Sequence, residues 1–536
     1  MLRTHLTILE TSARRAPSAI AFKVPESDVS GSISRWRDIT YSQFLSDVEL
    51  TASHWSRVFL REGIPERSVI GLWMGGYSYS DLVNLYGVSR AGFIPQLFSL
   101  RLPNADVILE LLMKTGARAL IYEDSFESAL QSWPLHVFRA GSIELAAGRS
   151  SIDLPPLPSV QKEEIAFYFH TSGSTSGSPK LVPCSFQWLE STIRKSDQIC
   201  APRERGGLDI AVWAGSMCHI FQNFMLIGHL QHNACIIQPL ANPYTSEQLV
   251  DIIQYCGLNR LNIFGSFLSN HLRNSRLDPK FLSKLASLDE IIYTGLPLPR
   301  EEEAWAYSNG IKLRNVFGST EVGALLVSIG GSGLDAGLLR PTEGVAYKFA
   351  PIASSAAVAG PHVSTARLLE LIVLAESPDC PDVSLRNPDD GDFHTGDLFQ
   401  EVAPGCYVSE GRDDDWIKSE SSLRCNTKAI EDNARAMCAT LISECVVVGN
   451  GRPNPILVVE PGIGVDNNDK LRVDIMRKIR QFHSRRYLHE RIGSADMILV
   501  VPRGSLPRTA TKGNIRRKAV EELYQFQIDK IFSVSR

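Results

Sequence analysis

The sequence predicts an α/β protein. Its large N-terminal domain has parallel-rich sheets flanked by helices and a β-subdomain, and a small α+β C-terminal domain follows. Over the first 330 residues, short apolar runs alternate with helical patterns, which is typical of parallel sheets covered on both faces. A glycine-rich break covers residues 330–337, and beyond it residues 368–374 and 405–410 have the pattern of antiparallel strands. A charged turn at 413–415 then precedes a basic C-terminal part.

The individual elements follow in chain order. Leu6, Leu9 and Ala13 at helical spacing predict a first helix, although the arginines among Ser and Thr at this end also resemble a transit peptide. Pro103 is a suitable first-turn residue for the next helix, and Gly116 ends it. Further strands are predicted over 68–74, 117–122, 261–264, 290–293, 445–448, 456–460 and 497–501, and helices over 103–114, 279–285 and 471–486.

Composition limits the class of protein. The chain has 536 residues, 44% apolar and 21% charged, so it can bury a core without disulfide bonds and is not a disordered chain. Its ten cysteines are scattered, which argues against a zinc ribbon or a disulfide framework and fits a reduced cytoplasmic setting. The sequence has no apolar run of membrane-spanning length.

Charge is uneven along the chain. The net charge of −4 argues against bulk nucleic-acid binding. From Asp414 onward, however, 21 basic residues face 15 acidic ones. This difference predicts a larger acidic domain of residues 1–413 and a small basic domain of residues 414–536. The small domain contains a basic run that either forms a solvated helix face or attracts a polyphosphate or an acidic partner. The run consists of Arg472, Arg477, Lys478, Arg480, Arg485 and Arg486.

The strongest local signal is an apolar strand that runs into a loop rich in Ser, Thr and Gly. Small residues let backbone N–H groups converge on an anion, and a lysine adds positive charge. The loop is not the GxxxxGK[ST] phosphate loop, because its second glycine falls one residue early and Pro179 precedes the lysine. The alternative interpretation is a flexible linker. The candidate phosphate-binding residues are Thr171, Ser172, Gly173, Ser174, Thr175 and Lys180.

Four further motifs occur in a fixed order after this loop. They are Asn315-Val-Phe-Gly-Ser-Thr-Glu321, Phe393-His-Thr-Gly-Asp397, Gly411-Arg-Asp-Asp-Asp-Trp-Ile-Lys418 and Leu506-Pro-Arg-Thr-Ala-Thr-Lys-Gly-Asn-Ile-Arg516. Together with the loop, they resemble the adenylate-forming superfamily of acyl-CoA synthetases, luciferases and peptide-synthetase adenylation domains. The extra Ser176 and His170 resemble the fungal peptide-synthetase-like carboxylic acid reductases.

The resemblance implies a role for each motif residue. Thr320 would contact the α-phosphate of ATP, and Glu321 would help to hold Mg²⁺, which prefers carboxylate oxygen. Asp397 would accept both ribose hydroxyls, with Arg412 beside it. Asp414 would be the hinge of a mobile C-terminal domain, and Asn315, Phe317 and Gly318 would contact the nucleotide. Without the other motifs in the same order, Asp397 and Asp414 would be interpreted as surface turn residues.

The implied reaction joins a carboxylic acid to AMP. The acid is already ionised near pH 7 and needs no general base. It would attack the α-phosphate and release pyrophosphate, with Lys512 bridging the two reactants. Lys512 stands one position earlier than the superfamily's lysine, so Lys518 is a second candidate, and a solvated basic tail is a third interpretation. A serine replaces the glycine that usually follows the hinge, and these departures leave a non-catalytic sensor or scaffold as the alternative function.

Two residues indicate the class of acid. In amino-acid-activating relatives, an aspartate after the phosphate loop pairs with the α-amino group, and Ile220 stands in its place. An apolar side chain cannot pair an ammonium group, so the predicted substrate is an aryl or aliphatic acid without an α-amino group. His219 and Gly295 are assigned to the same pocket, although His219 could be a core histidine. His229 and His232 lack a third ligand for a metal site.

The acyl acceptor stays open at this point. The sequence has no convincing phosphopantetheine motif and no Gly-x-Gly-x-x-Gly unit for NADP. The acyl group would therefore pass to coenzyme A or to a separate carrier protein, or the chain is a domain of a longer enzyme.

Overall fold

The computed structural model contains two compact units. The large unit comprises Met1–Thr171, Pro179–Tyr347 and Val373–Phe393, and the small unit comprises Ser172–Ser178, Lys348–Ile372 and His394–Arg536. The predicted domain boundary between Asp413 and Asp414 falls inside the small unit and stays a prediction. The structure describes residues 2–27, 33–99, 104–130, 133–141, 154, 156–157, 159–171, 179–202, 207–295, 297–331, 333, 335–352, 368–413, 416–418, 424–465, 468–484, 490–508 and 515–534.

The large unit alternates strands with helices, as the sequence predicts. Its strands are β1 (Ile20–Ser27), β2 (Ile33–Thr40), β3 (Val69–Trp73), β4 (Ile94–Phe98), β5 (Ala119–Tyr122), β6 (His136–Arg139), β7 (Ile165–Thr171), β8 (Lys180–Ser185), β9 (Ile210–Val212), β10 (Cys235–Ile237), β11 (Arg260–Phe264), β12 (Glu290–Thr294), β13 (Leu313–Ser319), β14 (Gly323–Ser328) and β15 (Leu339–Pro341). Its helices are α1 (His5–Arg15), α2 (Tyr41–Arg61), α3 (Tyr79–Arg90), α4 (Ala105–Thr115), α5 (Phe186–Cys200), α6 (Ile220–Gln231), α7 (Ser246–Cys256), α8 (Gly265–Ser275), α9 (Pro279–Ser287) and α10 (Arg300–Ser308).

Two mainly parallel sheets form the large unit. One has the strand order β6-β5-β3-β4-β7-β8, and the other runs β15-β14-β13-β12-β11-β9-β10-β1-β2. The largest apolar core contains residues of both sheets and of α1, α2, α3, α5 and α6. Helix α4 covers the outer face of the first sheet, and α7 to α10 cover that of the second. The predicted α/β class, with sheets covered on both faces, is therefore confirmed.

Local sequence signals explain the helix ends. Thr245 and Gln248 form a capping box at the start of α7, and Gly257 ends that helix with φ +71°. Gly116 likewise ends α4 with φ +66°. The predicted start of α4 at Pro103 is wrong, because the Asn104 side chain accepts hydrogen bonds from the next turn and the helix begins at Ala105. Pro103 itself lies outside the described residues.

The small unit contains antiparallel strands and a separate α+β part. Its elements are β16 (Tyr347–Pro351), β17 (Leu368–Val373), β18 (Phe393–Ala403), β19 (Cys406–Arg412), β20 (Trp416–Lys418), β21 (Arg424–Asn426), α11 (Thr427–Cys438), β22 (Ile442–Val448), β23 (Ile456–Pro461), α12 (Asn468–Ser484), β24 (Ile498–Val500), α13 (Arg517–Leu523) and α14 (Gln525–Val534). Sheet β22-β23-β24 has an apolar core on each face, one packed with α11 and α12 and the other with α13 and α14. Within the described part of the chain, no helix is long and apolar enough to cross a membrane.

Candidate active site

A tight turn between β13 and β14 carries the motif residues Thr320 and Glu321. The two strands pair antiparallel, and at the end of the ladder next to the turn Gly318 lies opposite Ala324 and Ser319 opposite Gly323. A Cβ atom on Gly318 would lie 2.2 Å from the carbonyl oxygen of Gly323, so no other residue fits without moving the backbone. Gly323 has φ +75°, a conformation that side chains disfavour. The two glycines therefore determine the path of this turn.

Two side chains of helix α5 hydrogen-bond the backbone of the turn. The indole N–H of Trp188 donates to the carbonyl oxygen of Glu321 at 3.0 Å. The ammonium group of Lys195 donates to the carbonyl oxygens of Val322 at 2.8 Å and Ala324 at 2.7 Å. Trp188 and Lys195 lie seven residues apart on one face of the helix. Three hydrogen bonds thus position the turn without using its side chains.

Lys195 also forms a buried ion pair. Its Nζ lies 2.9 Å from Oδ2 of Asp379, and the two side chains are 1% and 0% exposed. Ser377 donates its hydroxyl to Asp379, and Tyr347 does so as well. Burial opposes ionisation of Asp379, but Lys195 and these hydroxyls outweigh it and hold the pKa of the carboxyl below its ordinary value. The support beneath the turn is therefore a charged, fully paired network.

The side chains at the turn itself are available to a ligand. Thr320 and Glu321 are half-buried, and neither makes a side-chain hydrogen bond or ion pair with another residue that the structure describes. Mg²⁺ is commonly bound by one or two carboxylates together with substrate phosphates. The carboxylate of Glu321 would fit a magnesium ion that substrate phosphate oxygens also bind. No group of three potential metal ligands occurs among the described residues.

The strand before the glycine-rich loop ends at Thr171, and the strand after it begins at Lys180. These two residues pair across β7 and β8. His170 stacks on Phe98 at 4.5 Å between ring centroids, and its Nδ1 lies 2.9 Å from the carbonyl oxygen of Leu97. Burial lowers the pKa of His170 to about 4 despite the bond to that carbonyl, so its ring is neutral at pH 7. Ser172, Gly173, Ser174 and Thr175 lie outside the described residues.

An aromatic face lies at the carboxyl ends of β9, β11 and β12, where parallel α/β sheets bind ligands. Phe264 is the last residue of β11, and a Cβ on Gly215 would lie 2.8 Å from its ring. A Cβ on Gly295 would lie 3.4 Å from the same ring. The His219 ring is 6.4 Å from Phe264 between centroids. The structure thus brings the predicted residues His219 and Gly295 to one aromatic ring.

Three further predicted residues of the large unit, Ile220, Asn315 and Phe317, lie on α6 and β13. Ile220 is the first residue of α6 and packs partly buried against the main core. Asn315 and Phe317 lie half-buried on β13. The backbone N–H of Asn315 donates to the hydroxyl of Ser328 at 2.8 Å. Strand β13 pairs in parallel with β12, the strand that ends just before Gly295, and Asn315 lies opposite Tyr293 in that pairing.

In the small unit, Asp397 and Arg412 face each other across β18 and β19. Arg412 Nη1 lies 3.4 Å from Oδ1 of Asp397 and donates to the carbonyl oxygen of Thr395 at 3.1 Å. Gly396 has φ +69°, and its N–H donates to the carboxylate of Glu370 at 3.2 Å. The Thr-Gly-Asp motif therefore lies within β18, at a point where an arginine and two carboxylates come together.

The predicted hinge and catalytic lysine cannot be placed, since Asp414 and Lys512 lie outside the described residues. Two residues that flank the lysine segment, Arg508 and Ile515, form an antiparallel bridge. Arg508 also donates to the buried carboxylate of Glu460 at 3.2 Å. The second lysine candidate, Lys518, is exposed on α13.

Comparison with known proteins identifies the family. The family model described as AMP-binding enzyme matches residues 9–347, and the one described as AMP-binding enzyme C-terminal domain matches residues 414–536. The chain belongs to the AMP-binding enzymes. The predicted membership of the adenylate-forming superfamily is thereby confirmed.

Related sequences include fungal and bacterial proteins. The AMP-binding domain-containing enzyme iboA of Amanita muscaria (strain Koide BX008) is 33% identical over 94% of this chain and 98% of its own length. The adenylate-forming reductase Nps11 of Serpula lacrymans var. lacrymans (strain S7.9) is 25% identical over 84% of this chain, which spans 42% of that protein. A 4-chlorobenzoate–CoA ligase of an Arthrobacter species is 25% identical over 78% of each chain.

Solved structures confirm the fold. The o-succinylbenzoate CoA synthetase MenE of Bacillus subtilis, in complex with its acyl-adenylate intermediate, superposes with a TM-score of 0.76 at 15% identity over 97% of this AMP-binding enzyme and 98% of that chain. The anthranilate CoA ligase AuaEII, in complex with anthranoyl-AMP, has a TM-score of 0.73 at 17% identity over 97% of each chain.

Sequence reasoning missed several residues of this site. Lys195 and Asp379 are 184 positions apart, so no local pattern joins them. Phe264 could have been found, because it ends a predicted parallel strand at the edge where ligands bind. The pair His229 and His232 is not a metal site: Nε2 of His229 lies 2.8 Å from Asn262, and His232 pairs with Asp197.

Proposed function

We propose that this AMP-binding enzyme is an AMP-forming carboxylate ligase. It activates an aryl or aliphatic carboxylic acid without an α-amino group to an acyl adenylate, releases pyrophosphate, and passes the acyl group to a thiol. The observation that carries the proposal is the turn at Thr320 and Glu321. Its backbone is held by α5, while its two side chains have no described partner. Preorganised groups of this kind stabilise developing charge with little reorganisation.

The candidate nucleotide-binding residues each have a proposed role. Thr171, Lys180 and the intervening loop residues would bind the phosphates, Thr320 would contact the α-phosphate, and Glu321 would hold Mg²⁺. The carboxylate of Asp397 would accept the ribose hydroxyls, with Arg412 beside it. The metal supplies neutralisation of phosphate charge when bound. The 3.4 Å pair supports the ribose assignment, because Arg412 helps to orient the carboxylate of Asp397, and a carboxylate is a strong hydrogen-bond acceptor.

The chemical step follows from charge and position. The substrate carboxylate attacks the α-phosphorus, a new C–O–P linkage forms, and the bond to pyrophosphate breaks. Lys512 bridges the carboxylate and the α-phosphate and offsets the negative charge that accumulates there. Asp414 is the hinge between a core of residues 1–413 and a lid of residues 414–536. The C-terminal family match, which begins at residue 414, supports this boundary.

The proposed acid pocket supports the substrate class. Phe264, Gly215 and Gly295 present an aromatic ring beside two positions without side chains. Ile220 provides no charge for an α-ammonium group, which would be costly to bury unpaired. Relatives whose names specify 4-chlorobenzoate, and structures that contain anthranoyl-AMP or o-succinylbenzoyl-AMP, are consistent with an acid of this kind.

The acceptor is proposed as coenzyme A or a phosphopantetheinyl carrier protein. The coenzyme A ligase among the relatives supports the first acceptor. The adenylate-forming reductases are longer proteins, of which this chain spans less than half, and the carrier protein is the alternative acceptor. Supplying the adenylating enzyme with either thiol and measuring thioester formation by mass spectrometry distinguishes the two acceptors.

ATP–pyrophosphate exchange tests the proposal. The full chain is assayed with separate pools of aryl, fatty and amino acids. We expect exchange that depends on an aryl or aliphatic acid. Exchange with α-amino acids alone would refute the substrate class, and ATP binding without exchange in any pool would favour a non-catalytic sensor.

The lysine assignment has its own test. Lys512→Ala should lower the exchange rate about a hundredfold, as the loss of one charge-stabilising group does. Lys518→Ala is the matched control and should retain the parental rate. The opposite result would move the catalytic role to Lys518.

A further inference from the structure

The side chain of His170 connects the strand before the glycine-rich loop to the neighbouring strand. His170 is the last residue but one of β7, and Thr171 follows it. The Nδ1 atom of His170 lies 2.9 Å from the carbonyl oxygen of Leu97, and its Nε2 atom lies 3.1 Å from the side-chain nitrogen of Gln96. Leu97 and Gln96 belong to β4, which lies next to β7 in the sheet. The ring therefore links two strands immediately before a candidate phosphate-binding residue.

The partners of the ring determine which of its nitrogens carries the hydrogen. A carbonyl oxygen only accepts hydrogen bonds, so Nδ1 of His170 must donate to Leu97. The amide oxygen of Gln96 accepts from the hydroxyl of Thr115 at 2.6 Å, and its amide nitrogen donates to the carbonyl oxygen of Leu111 at 3.2 Å. The second N–H of that amide then donates to Nε2 of His170, which carries no hydrogen. The ring is thus in its neutral Nδ1–H form, and both nitrogens are hydrogen-bonded.

This network is buried and contains groups from three elements. Gln96 on β4 is 0% exposed, and Thr115 is the last residue of α4. The ring of Phe98 stacks on that of His170, with 22° between the two planes. Burial of polar groups is favourable only when they are paired, and a fully paired network fixes the positions of its members. These contacts therefore hold the end of β7 in one place relative to β4 and α4.

The position of His170 determines where the ends of the glycine-rich loop lie. In the pairing of β4 with β7, Gln96 lies opposite Tyr168, two residues before His170. On the other side of β7, Thr171 pairs with Lys180 of β8. Both of these residues are candidates for phosphate binding. A shift at the end of β7 would therefore displace the two candidates together.

We propose that His170 is a positioning residue for phosphate binding, because its two hydrogen bonds to β4 fix the end of β7 and with it Thr171 and Lys180. Gln96 and Thr115 support His170 in turn. The proposal rests on the proposed ATP-dependent function, and His170 itself does not contact the nucleotide. An apolar ring could fill the same volume, but it would lack these directional contacts.

ATP binding provides the main test. His170→Phe keeps an aromatic ring beside Phe98 and removes both hydrogen bonds. Isothermal titration calorimetry of the full chain with ATP, in the absence of an acid, measures binding without adenylate formation. We expect the Kd for ATP to rise about tenfold. In exchange assays the KM for ATP should rise by the same factor, while the KM for the acid stays unchanged.

Two milder variants examine the hydrogen bonds separately. His170→Asn retains a side-chain N–H that can reach the carbonyl oxygen of Leu97 and loses the bond to Gln96. Thr115→Val removes the donor to Gln96 and changes neither strand. Each should raise the Kd for ATP about threefold, so His170→Asn partly restores the binding that His170→Phe loses. Because Thr115→Val acts at a distance from β7, it tests the network even if His170→Phe does not fold.

His271→Phe is the matched control. His271 is also a buried histidine, stacks on Tyr244 at 5.7 Å between ring centroids, and has its Nδ1 atom 2.9 Å from the hydroxyl of Ser246. It lies on α8, which covers the second sheet, whereas β7 belongs to the first. Its replacement should lower stability in urea as His170→Phe does and leave the Kd for ATP unchanged.

The Kd values decide the proposal. Weaker ATP binding in His170→Phe and Thr115→Val, with parental binding in His271→Phe, supports it. Parental binding in Thr115→Val or in folded His170→Phe overturns it, and so does an equal loss in His271→Phe or a parent that does not bind ATP. ATP binding without exchange in any acid pool would refute the proposed function, and the comparison of Kd values would still decide the role of His170.

Discussion

Two motif segments of this AMP-binding enzyme are stabilised in different ways. The turn at Thr320 and Glu321 is held through its backbone by Trp188 and Lys195, which lie outside the motif. The strand segment at Asp397 is held by side chains of the motifs themselves, because Arg412 pairs with Asp397 and donates to the carbonyl oxygen of Thr395. In the first segment the supporting residues differ from the proposed ligand-binding residues, and in the second they are the same residues.

This difference predicts how each segment responds to substitution. At the turn of Thr320 and Glu321, a change in α5 can lower activity without removing any side chain that is proposed to contact substrate. At Asp397, a change to a proposed ligand-binding residue also removes part of the local support of the strand. Four substitutions examine this contrast, beginning with the largest expected effect.

Lys195→Met should cause the largest loss. It removes one member of a buried ion pair and leaves the carboxylate of Asp379 uncompensated, which costs about 3–5 kcal/mol of unfolding free energy. Urea-induced unfolding measures this loss, and the exposed lysine variant Lys518→Met should stay within about 0.5 kcal/mol of the parent. Parental stability in Lys195→Met would show that the turn does not depend on α5.

Gly318→Ala should come next and act on catalysis. The added Cβ would lie 2.2 Å from the Gly323 carbonyl oxygen and must displace the turn. A displacement of about 1 Å can cost about a hundredfold in rate, so ATP–pyrophosphate exchange should fall by that factor. Gly333→Ala is the matched control, because no atom lies within 4 Å of its added Cβ. Equal rates in the two variants would refute the positional role of Gly318.

Asp397→Asn tests the strand segment in which Asp397 and Arg412 pair with each other. Removing the negative charge weakens acceptance of the ribose hydroxyls and should raise the KM for ATP about tenfold. Arg412 is 44% exposed, so the lost pair should change the unfolding free energy by no more than about 1 kcal/mol. Steady-state kinetics and urea unfolding measure both quantities. An unaltered KM would contradict the ribose assignment.

Trp188→Phe should have the smallest effect. It removes a single neutral hydrogen bond, to the carbonyl oxygen of Glu321, and should lower exchange about fivefold. Trp305→Phe provides the comparison, because that indole stacks under Arg276 and does not contact the turn. A larger loss in Trp305→Phe than in Trp188→Phe would indicate a general effect of tryptophan removal.

Local signals in the sequence explain which features could be predicted. The strands β11 and β12 are rich in Leu, Ile, Phe and Tyr, and Gly116 and Gly257 end their helices in the left-handed conformation. The motif order led to Thr320, Glu321 and Asp397 without any knowledge of contacts. These features depend on neighbours in the chain, which a sequence displays directly.

Contacts between distant segments could not be predicted in this way. The Lys195–Asp379 pair joins α5 to a segment 184 residues later, and charge alone does not distinguish a buried lysine from an exposed one. The predicted start of α4 is too early, because the side chain of Asn104 caps the helix and the first turn begins at Ala105. Phe264 lies beside Gly215 and Gly295, which follow two other strands and which only the folded sheet brings close to it.

The packing of Phe264 has a consequence for redesigning the enzyme. A side chain at Gly215 would overlap the ring, and Gly295 has φ +88°, which penalises any replacement. Neither glycine offers a practical position for altering the width of the proposed acid pocket. Selection for bulkier acids should therefore recover changes at Phe264 itself, so a mutant library should randomise that codon first.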